Sequence, residues 1–250
     1  MQSYKYDSSF FDFVSVSSGA SSLTFLKQLD LGFFPQSVLD VGCGPGVWLN
    51  AWKVLGVKEV IGLDGNYVDK TSLLIDPSEF IACDISSQIK LGKSFDLVQC
   101  LEVGEHISNE KANILLKNLT NHSNIILFSS ATPGQGGEHH INERPLEYWA
   151  AKFKVEGYDA FDYPRLVTKH IKSIEPWYRY NTLLFANSNG KSLLSQSVSQ
   201  TAIQDIQHIP QYSPILWRLR CNFISILPYF LVNSLARLKH RFVCMLISKS

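Results

Sequence analysis

The chain has 250 residues, 45% hydrophobic and 18% charged, with a formal net charge of +1. That is enough apolar material for one well-buried domain plus an appendage. A charge this near zero gives no strong field to draw nucleic acid or acidic partners. The odd, scattered set Cys43, Cys83, Cys100, Cys221 and Cys244 contains no C-x-x-C pair of the kind that holds zinc.

The opening MQSYKYDSSFF has neither a basic n-region nor an apolar h-region. The longest apolar stretch, 223–232, is broken by Ser225 and Pro228 and falls short of the ~20 residues a spanning helix needs. The expectation is a reduced, cytoplasmic protein whose residues 1–30 form a helix or lid. From Gln36 to Asn187 short apolar runs alternate with helical stretches. The runs 37–41, 59–64, 79–84, 95–102 and 124–130 are too short for helices and mostly apolar, as in strands covered on both faces. Residues 47–56, 66–75 and 109–119 carry apolar side chains at helical spacing. The alternation predicts a doubly wound α/β sheet over residues 31–187.

Past the fifth run, the Gly-rich TPGQGGEHHINER leads to a helix starting near Pro145, a residue suited to a first helical turn. Extended segments around 158–163 and 180–186 then supply an antiparallel edge. The expected fold is therefore a Rossmann-like, seven-stranded sheet with an antiparallel edge strand. Residues 188–213, polar and Ser/Gln-rich, read as a linker. Residues 214–250 read as a basic amphipathic tail, helical with breaks at Pro214 and Pro228.

Asp40-Val41-Gly42-Cys43-Gly44-Pro45-Gly46 closes the first strand and opens a helix. Its glycines let the backbone turn tightly and a ligand lie against bare main chain, and the helix start offers N–H groups. A dinucleotide site wants G-x-G-x-x-G/A; counted from Gly42, the last glycine falls on Val47. The observed acid followed by G-x-G-x-G suits a ligand with a cationic end instead, since a diphosphate would be repelled by Asp40. Asp64 ends the second strand, where an acid can take both ribose hydroxyls. Asp84 ends the third, where it can accept from an adenine amino group or cap the next turn.

DVGCGPG, LDG, CDI and FDLVQCLEVGEH, in this order, resemble the successive motifs of the class I S-adenosylmethionine (SAM)-dependent methyltransferases. The likeness runs from about Tyr4 to Asn187. It is greatest to bacterial enzymes of the methyltransferase type 11/23 group with a GQGGEHHxNE loop and a PWYRYN segment. The resemblance implies that Asp40, Gly42, Gly44 and Gly46 hold the methionine moiety of SAM. It assigns Asp64 to the ribose, Asp84 with Ile85 to the adenine, Leu101 to the cofactor site, and Tyr4 and Tyr6 to a lid over the cofactor. Trp48 reads as first-turn packing.

On the acceptor side, Glu102, Glu105 and His106 follow the fourth strand, and at helical spacing they point at one volume. Gly134, Gly136 and Gly137 predict a mobile loop that brings Glu138, His139 and His140 over the same pocket. Methyl transfer to a hydroxyl needs alignment and removal of a proton. His106 and His140, with His139 behind them, are candidate bases, and Glu102 or Glu105 a candidate orienting carboxylate. The same Glu102, Glu105, His106 and His140 resemble the E-x-x-E-H plus distant His set that binds Mg²⁺ in small-RNA 3′-end 2′-O-methyltransferases. Ubiquinone-pathway O-methyltransferases carry a similar E-x-x-E-H. A divalent metal is thus a second reading, and a structural His106 a third. Tyr148 and Trp149, and Trp177 to Tyr180, serve either as an aromatic wall for an acceptor or as core.

The leading functional expectation is O-methylation of a sugar, glycolipid or secondary metabolite. The alternatives are a metal-dependent nucleic-acid 2′-O-methyltransferase, which lacks support from any basic stripe with interleaved aromatics, and a non-catalytic SAM-binding protein. For the tail, the expectation is packing on the catalytic domain or on a second subunit, with peripheral membrane contact as the alternative.

Overall fold

The structure, a computed structural model, describes residues 8–247; Tyr4 and Tyr6 lie outside the described residues. Seven strands, β1 (Ser37–Val41), β2 (Glu59–Asp64), β3 (Phe80–Ala82), β4 (Leu97–Leu101), β5 (Ile125–Ser129), β6 (Asp159–Phe161) and β7 (Leu183–Ala186), form one sheet. Its order is β3-β2-β1-β4-β5-β7-β6. The first five strands run parallel, and β7 pairs antiparallel with both β5 and β6. Strand order reverses between β1 and β4, so a crevice opens there beyond the carboxyl ends of the strands. Asp40, in register with Gly62 on one side and Gln99 on the other, sits at that point.

The helices are α1 (Ser8–Leu26), α2 (Val47–Leu55), α3 (Ala112–Thr120), α4 (Leu146–Val155), α5 (Tyr163–Thr168), α6 (Pro176–Asn181), α7 (Ser188–Lys191), α8 (Gln196–Ser199), α9 (Ile215–Ser225) and α10 (Tyr229–Ile247). Helix α2 stops because Gly56 turns left-handed and its N–H caps the carbonyls of Trp52 and Lys53. Both sheet faces are covered, which is why β4 and β5 are buried at every residue. Phe25, Leu49, Trp52, Leu97 and Ile125 fill one face; Leu39, Val98, Leu115, Phe128 and Phe153 fill the other. Helix α1 packs on α2 and on α10.

Three local expectations change. Residues 66–75 form no α-helix, only a 3-10 turn at Lys70–Ser72: Asp69 takes the Thr71 N–H, and the Leu74 N–H goes to the Pro45 carbonyl. Of the extended segments, β6 ends at Phe161 because Asp162 bonds Arg165 and starts α5, and α6 runs to Asn181, so β7 begins only at Leu183. The expected linker 188–213 is docked. Gly190 packs on the Asn124 carbonyl, Ser195 N–H donates to Leu31, Ile203 N–H to Ala160, and Val198 is fully buried.

Candidate active site

Gly42, with φ at +86°, carries the chain across the end of β1, where a Cβ would stand 2.4 Å from Val103 Cγ2. Its N–H and that of Cys43 donate to the Leu63 carbonyl, which ties the loop to β2. Asp64 closes the arrangement: it accepts from Gly44 N (2.7 Å), Gly65 N (2.6 Å) and the Tyr67 hydroxyl (2.6 Å). Burial nevertheless raises its pKa, those hydrogen bonds opposing. Asp40 is buried, and burial pushes its pKa up to about 7, with the Gln99 amide lowering it and the Asp64 carboxylate adding to the rise. A carboxyl so placed fits a ligand that brings a positive group.

Asp84 is exposed, and both its oxygens are taken, Oδ1 by Ser86 and Oδ2 by Ser87, an arrangement that lowers its pKa. Ile85 is buried beside it because the Asn118 amide on α3 clamps the segment through the Ile85 and Ser87 carbonyls and the Ile89 N–H. Asp40, Asp64, Asp84, Ile85, Leu101 and Gly44 line one cavity of about 910 Å³, within the size range of small-molecule sites. Trp48 packs edge-on against Phe25 and Tyr178.

The acceptor-side residues line the same cavity. They stand not on an α-helix but on Glu102, held at φ +58°, and a 3-10 turn at Gly104–His106. Glu102 Oε2 accepts from Gln135 Nε2 (2.6 Å), whose carbonyl Asn181 Nδ2 holds (2.7 Å). Oε1 is buried without a hydrogen-bond partner among the described residues. Burial first, then the Glu105 carboxylate, pushes the Glu102 pKa up to about 8; burial pushes that of Glu105 up to about 7, its hydrogen bonds opposing.

Glu105, His106 and His140 converge, each offering a ligand atom within 4.8 Å of the others. Ser130 donates to Glu105 Oε2, and His140 Nε2 lies 3.9 Å from Oε1. His140 Nδ1 is 2.8 Å from Glu143 Oε1, so Nδ1 carries the proton and Nε2 faces Glu105. The orienting carboxylate of His140 is therefore Glu143, which sequence reasoning missed; its spacing of three residues from His140 was the available signal. Glu143 also accepts from Gly134 N and Gly136 N, which fixes the loop expected to be mobile. His106 Nδ1 donates to the His139 carbonyl, and burial lowers its pKa well below the ordinary value. His139 is not part of this convergence: its Nδ1 meets the Tyr229 hydroxyl at 3.3 Å. Glu138 is buried and binds Arg237 and His240 of α10, both at 3.2 Å. Glu102, too, stands outside the three-residue cluster. Trp149 is core, against Phe128, while Trp177 and Tyr178 line the cavity.

Residues 21–153 match a family model described as a methyltransferase domain. Among solved structures, an O-methyltransferase family protein from Burkholderia thailandensis superposes with a TM-score of 0.53 at 11% identity, covering 72% of this chain and 58% of that one. Human N-acetylserotonin methyltransferase in complex with SAM gives 0.50 at 16% identity, covering 71% and 55%. The sugar N-methyltransferase KedS8 from Streptoalloteichus sp. ATCC 53650 gives 0.55 at 12% identity, covering 75% and 95%. The chain thus spans little more than half the length of the first two. No curated protein matches the sequence. The matched span is more than half of the chain and contains the glycine loop, Asp64 and the Glu102–His106 turn, so the chain belongs to the methyltransferase-domain family.

Proposed function

We propose that the chain moves the methyl group of SAM to a hydroxyl of a small-molecule acceptor, a sugar, glycolipid or secondary metabolite, with His140 as general base. The observation that carries this is the Glu143–His140 pair: Glu143 holds Nδ1, Nε2 stands beside Glu105, and His140 lines the cavity that Asp40 and Asp64 also line. Asp40 and the Asp64-tied glycine loop hold the donor, Asp40 facing its ammonium group. The acceptor oxygen attacks the methyl carbon as the carbon–sulfur bond breaks, which leaves the neutral thioether. His140 Nε2 takes the hydroxyl proton, and Glu143 stabilises the imidazolium that forms. The O-methyltransferase and sugar N-methyltransferase neighbours support a small acceptor.

A second reading draws support from the cluster itself. One carboxylate and two imidazoles, each imidazole already donating its Nδ1–H to a carboxylate or carbonyl, fit a divalent metal's donor set. Glu105, His106 and His140 would hold it, and it would polarise the acceptor oxygen. The test uses tritiated SAM with a panel of hydroxylated sugars and phenols. His140→Ala is expected to lower turnover by ~10²-fold or more and Glu143→Gln to lower it less, with SAM affinity by calorimetry unchanged in both. Activity abolished by a chelator and restored only by Mg²⁺ or Mn²⁺ would select the metal reading. Full activity of His140→Ala without added metal would overturn both.

A further inference from the structure

Helices α9 and α10 are joined at Pro228 and lie over the cavity. Ile224, Leu227, Val232, Ala236 and His240 line it from this side. The hairpin is fastened there by polar contacts: Arg220 donates to the Gln135 carbonyl, Asn233 accepts from the His139 N–H, and Glu138 holds Arg237 and His240. The inner face is thus accounted for.

The outer face stands exposed among the described residues. On α9 and the turn, Leu216, Leu219, Phe223, Ile226 and Phe230 recur every three or four residues and stand 57–79% exposed. On α10, Leu231, Leu235, Leu238 and Phe242 form a second such row, also exposed. The expected packing of this face on the catalytic domain does not occur. Exposed apolar patches of this extent mark a surface that another phase or molecule covers.

Charge decides between the occupants. From residue 214 to the end the chain holds six Lys and Arg and no Asp or Glu. Arg218 and Arg241 are exposed beside the apolar rows, and Arg237 keeps nearly half its side chain in solvent. A second copy docking through this face would set one cationic, acid-free segment against another, a like-charge juxtaposition that opposes association. An anionic bilayer complements the cations exposed on this face and accepts the apolar rows at its headgroup boundary. Tyr229, half-exposed at the turn between the helices, suits that boundary. No helix among the described residues is long and apolar enough to cross a membrane, so the seat is interfacial.

We infer that the α9–α10 hairpin seats the protein on an anionic lipid surface, with its outer apolar rows in the headgroup boundary and the cavity above them. Leu235 both lines the cavity and is exposed, so the apolar rows are continuous with the cavity wall. An acceptor can then be presented from the bilayer, a consequence that rests on the methyl-transfer reading above; the seating itself does not.

The full-length chain is sedimented at low salt with vesicles of phosphatidylcholine alone or with about 30% phosphatidylglycerol. Binding is expected only to the anionic vesicles, to weaken with salt, and to fall at least about tenfold in Leu219→Gln/Phe223→Gln/Phe230→Gln. Arg218→Glu/Arg241→Glu should also bind more weakly. Calorimetry with SAM on the same samples should give wild-type affinity, which shows that the variants fold and reports on the donor site separately. The inference is overturned if wild type remains in the supernatant with both vesicles or if the apolar variant sediments like wild type. A dimer by light scattering that this variant turns into a monomer would also overturn it, since a second copy would then cover the face.

Discussion

Asp40 is a carboxyl whose burial pushes its pKa up to about 7. Its contribution to the unliganded fold is fullest below its unfolded value of 3.8 and is lost as pH rises through about 7. Unfolded chains release the proton in that window and folded ones do not, a difference on the order of 4 kcal/mol. Thermal melts should therefore fall between mildly acidic and mildly basic pH more steeply in the wild type than in Asp40→Asn. The shift produced by SAM should be larger on the basic side, where the carboxylate meets the donor's ammonium; parallel pH curves for the two proteins would remove Asp40 from this role. Gly134 illustrates a different residue-scale constraint. Its φ is +78°, and a Cβ there would lie 2.0 Å from the Cys221 carbonyl of α9. Gly134→Ala is expected to destabilise the protein by about 2 kcal/mol or more, read by urea denaturation, because backbone rather than a flexible side chain must move.

Among the elements, the short α5 depends on a charge pair that the sheet edge encloses. Arg165 is fully buried, its Nε 2.5 Å from Asp162 Oδ1 and its Nη1 on the Tyr180 carbonyl. Tyr212 donates to Asp162 Oδ2 and lies over the Arg165 guanidinium, so the segment after β7 is fastened to the same pair. Asp162→Asn keeps the shape but leaves the guanidinium uncompensated. A loss of about 3–5 kcal/mol is expected in urea denaturation, and a loss under 1 kcal/mol would mean that the buried cation is satisfied by Tyr180 and Tyr212 alone. The hairpin of α9 and α10 shows the opposite economy: few polar fastenings inside, and an apolar outer face left to another surface.

For the whole molecule, Glu138 is the join between the loop after β5 and α10. It is buried, and its two oxygens go to Arg237 and His240. Glu138→Ala should release α10 before it affects the sheet. Limited trypsin digestion is expected to cut the segment after residue 214 several-fold faster, with the resistant core and its melting temperature little altered. An unchanged digestion pattern would assign the docking of α10 to its contacts with α1 instead.

Local pattern determined the sheet and set the strand-end acids and the glycine loop side by side. Strands β1 and β2 fall where their apolar runs predict, and Asp40, Gly42, Gly44, Asp64 and Leu101 line one cavity, because strand ends and the turns that follow them are contiguous in sequence. The acceptor half was legible only as a set of candidate acids and histidines. Their grouping depends on how residues 129–143 return over β4. That path sends His140 to Glu105 and Glu143 but turns His139 toward Tyr229 and Glu138 toward α10. The glycines of that loop read as mobility in sequence; in space Gly134 and Gly136 are there for the close approach of α9 and α10. Helical spacing also announced an apolar face on the tail without saying what covers it, since periodicity records that a face is apolar and not which neighbour it meets. Only the tertiary structure showed that the inner side of that hairpin closes the cavity and that its outer side is left exposed.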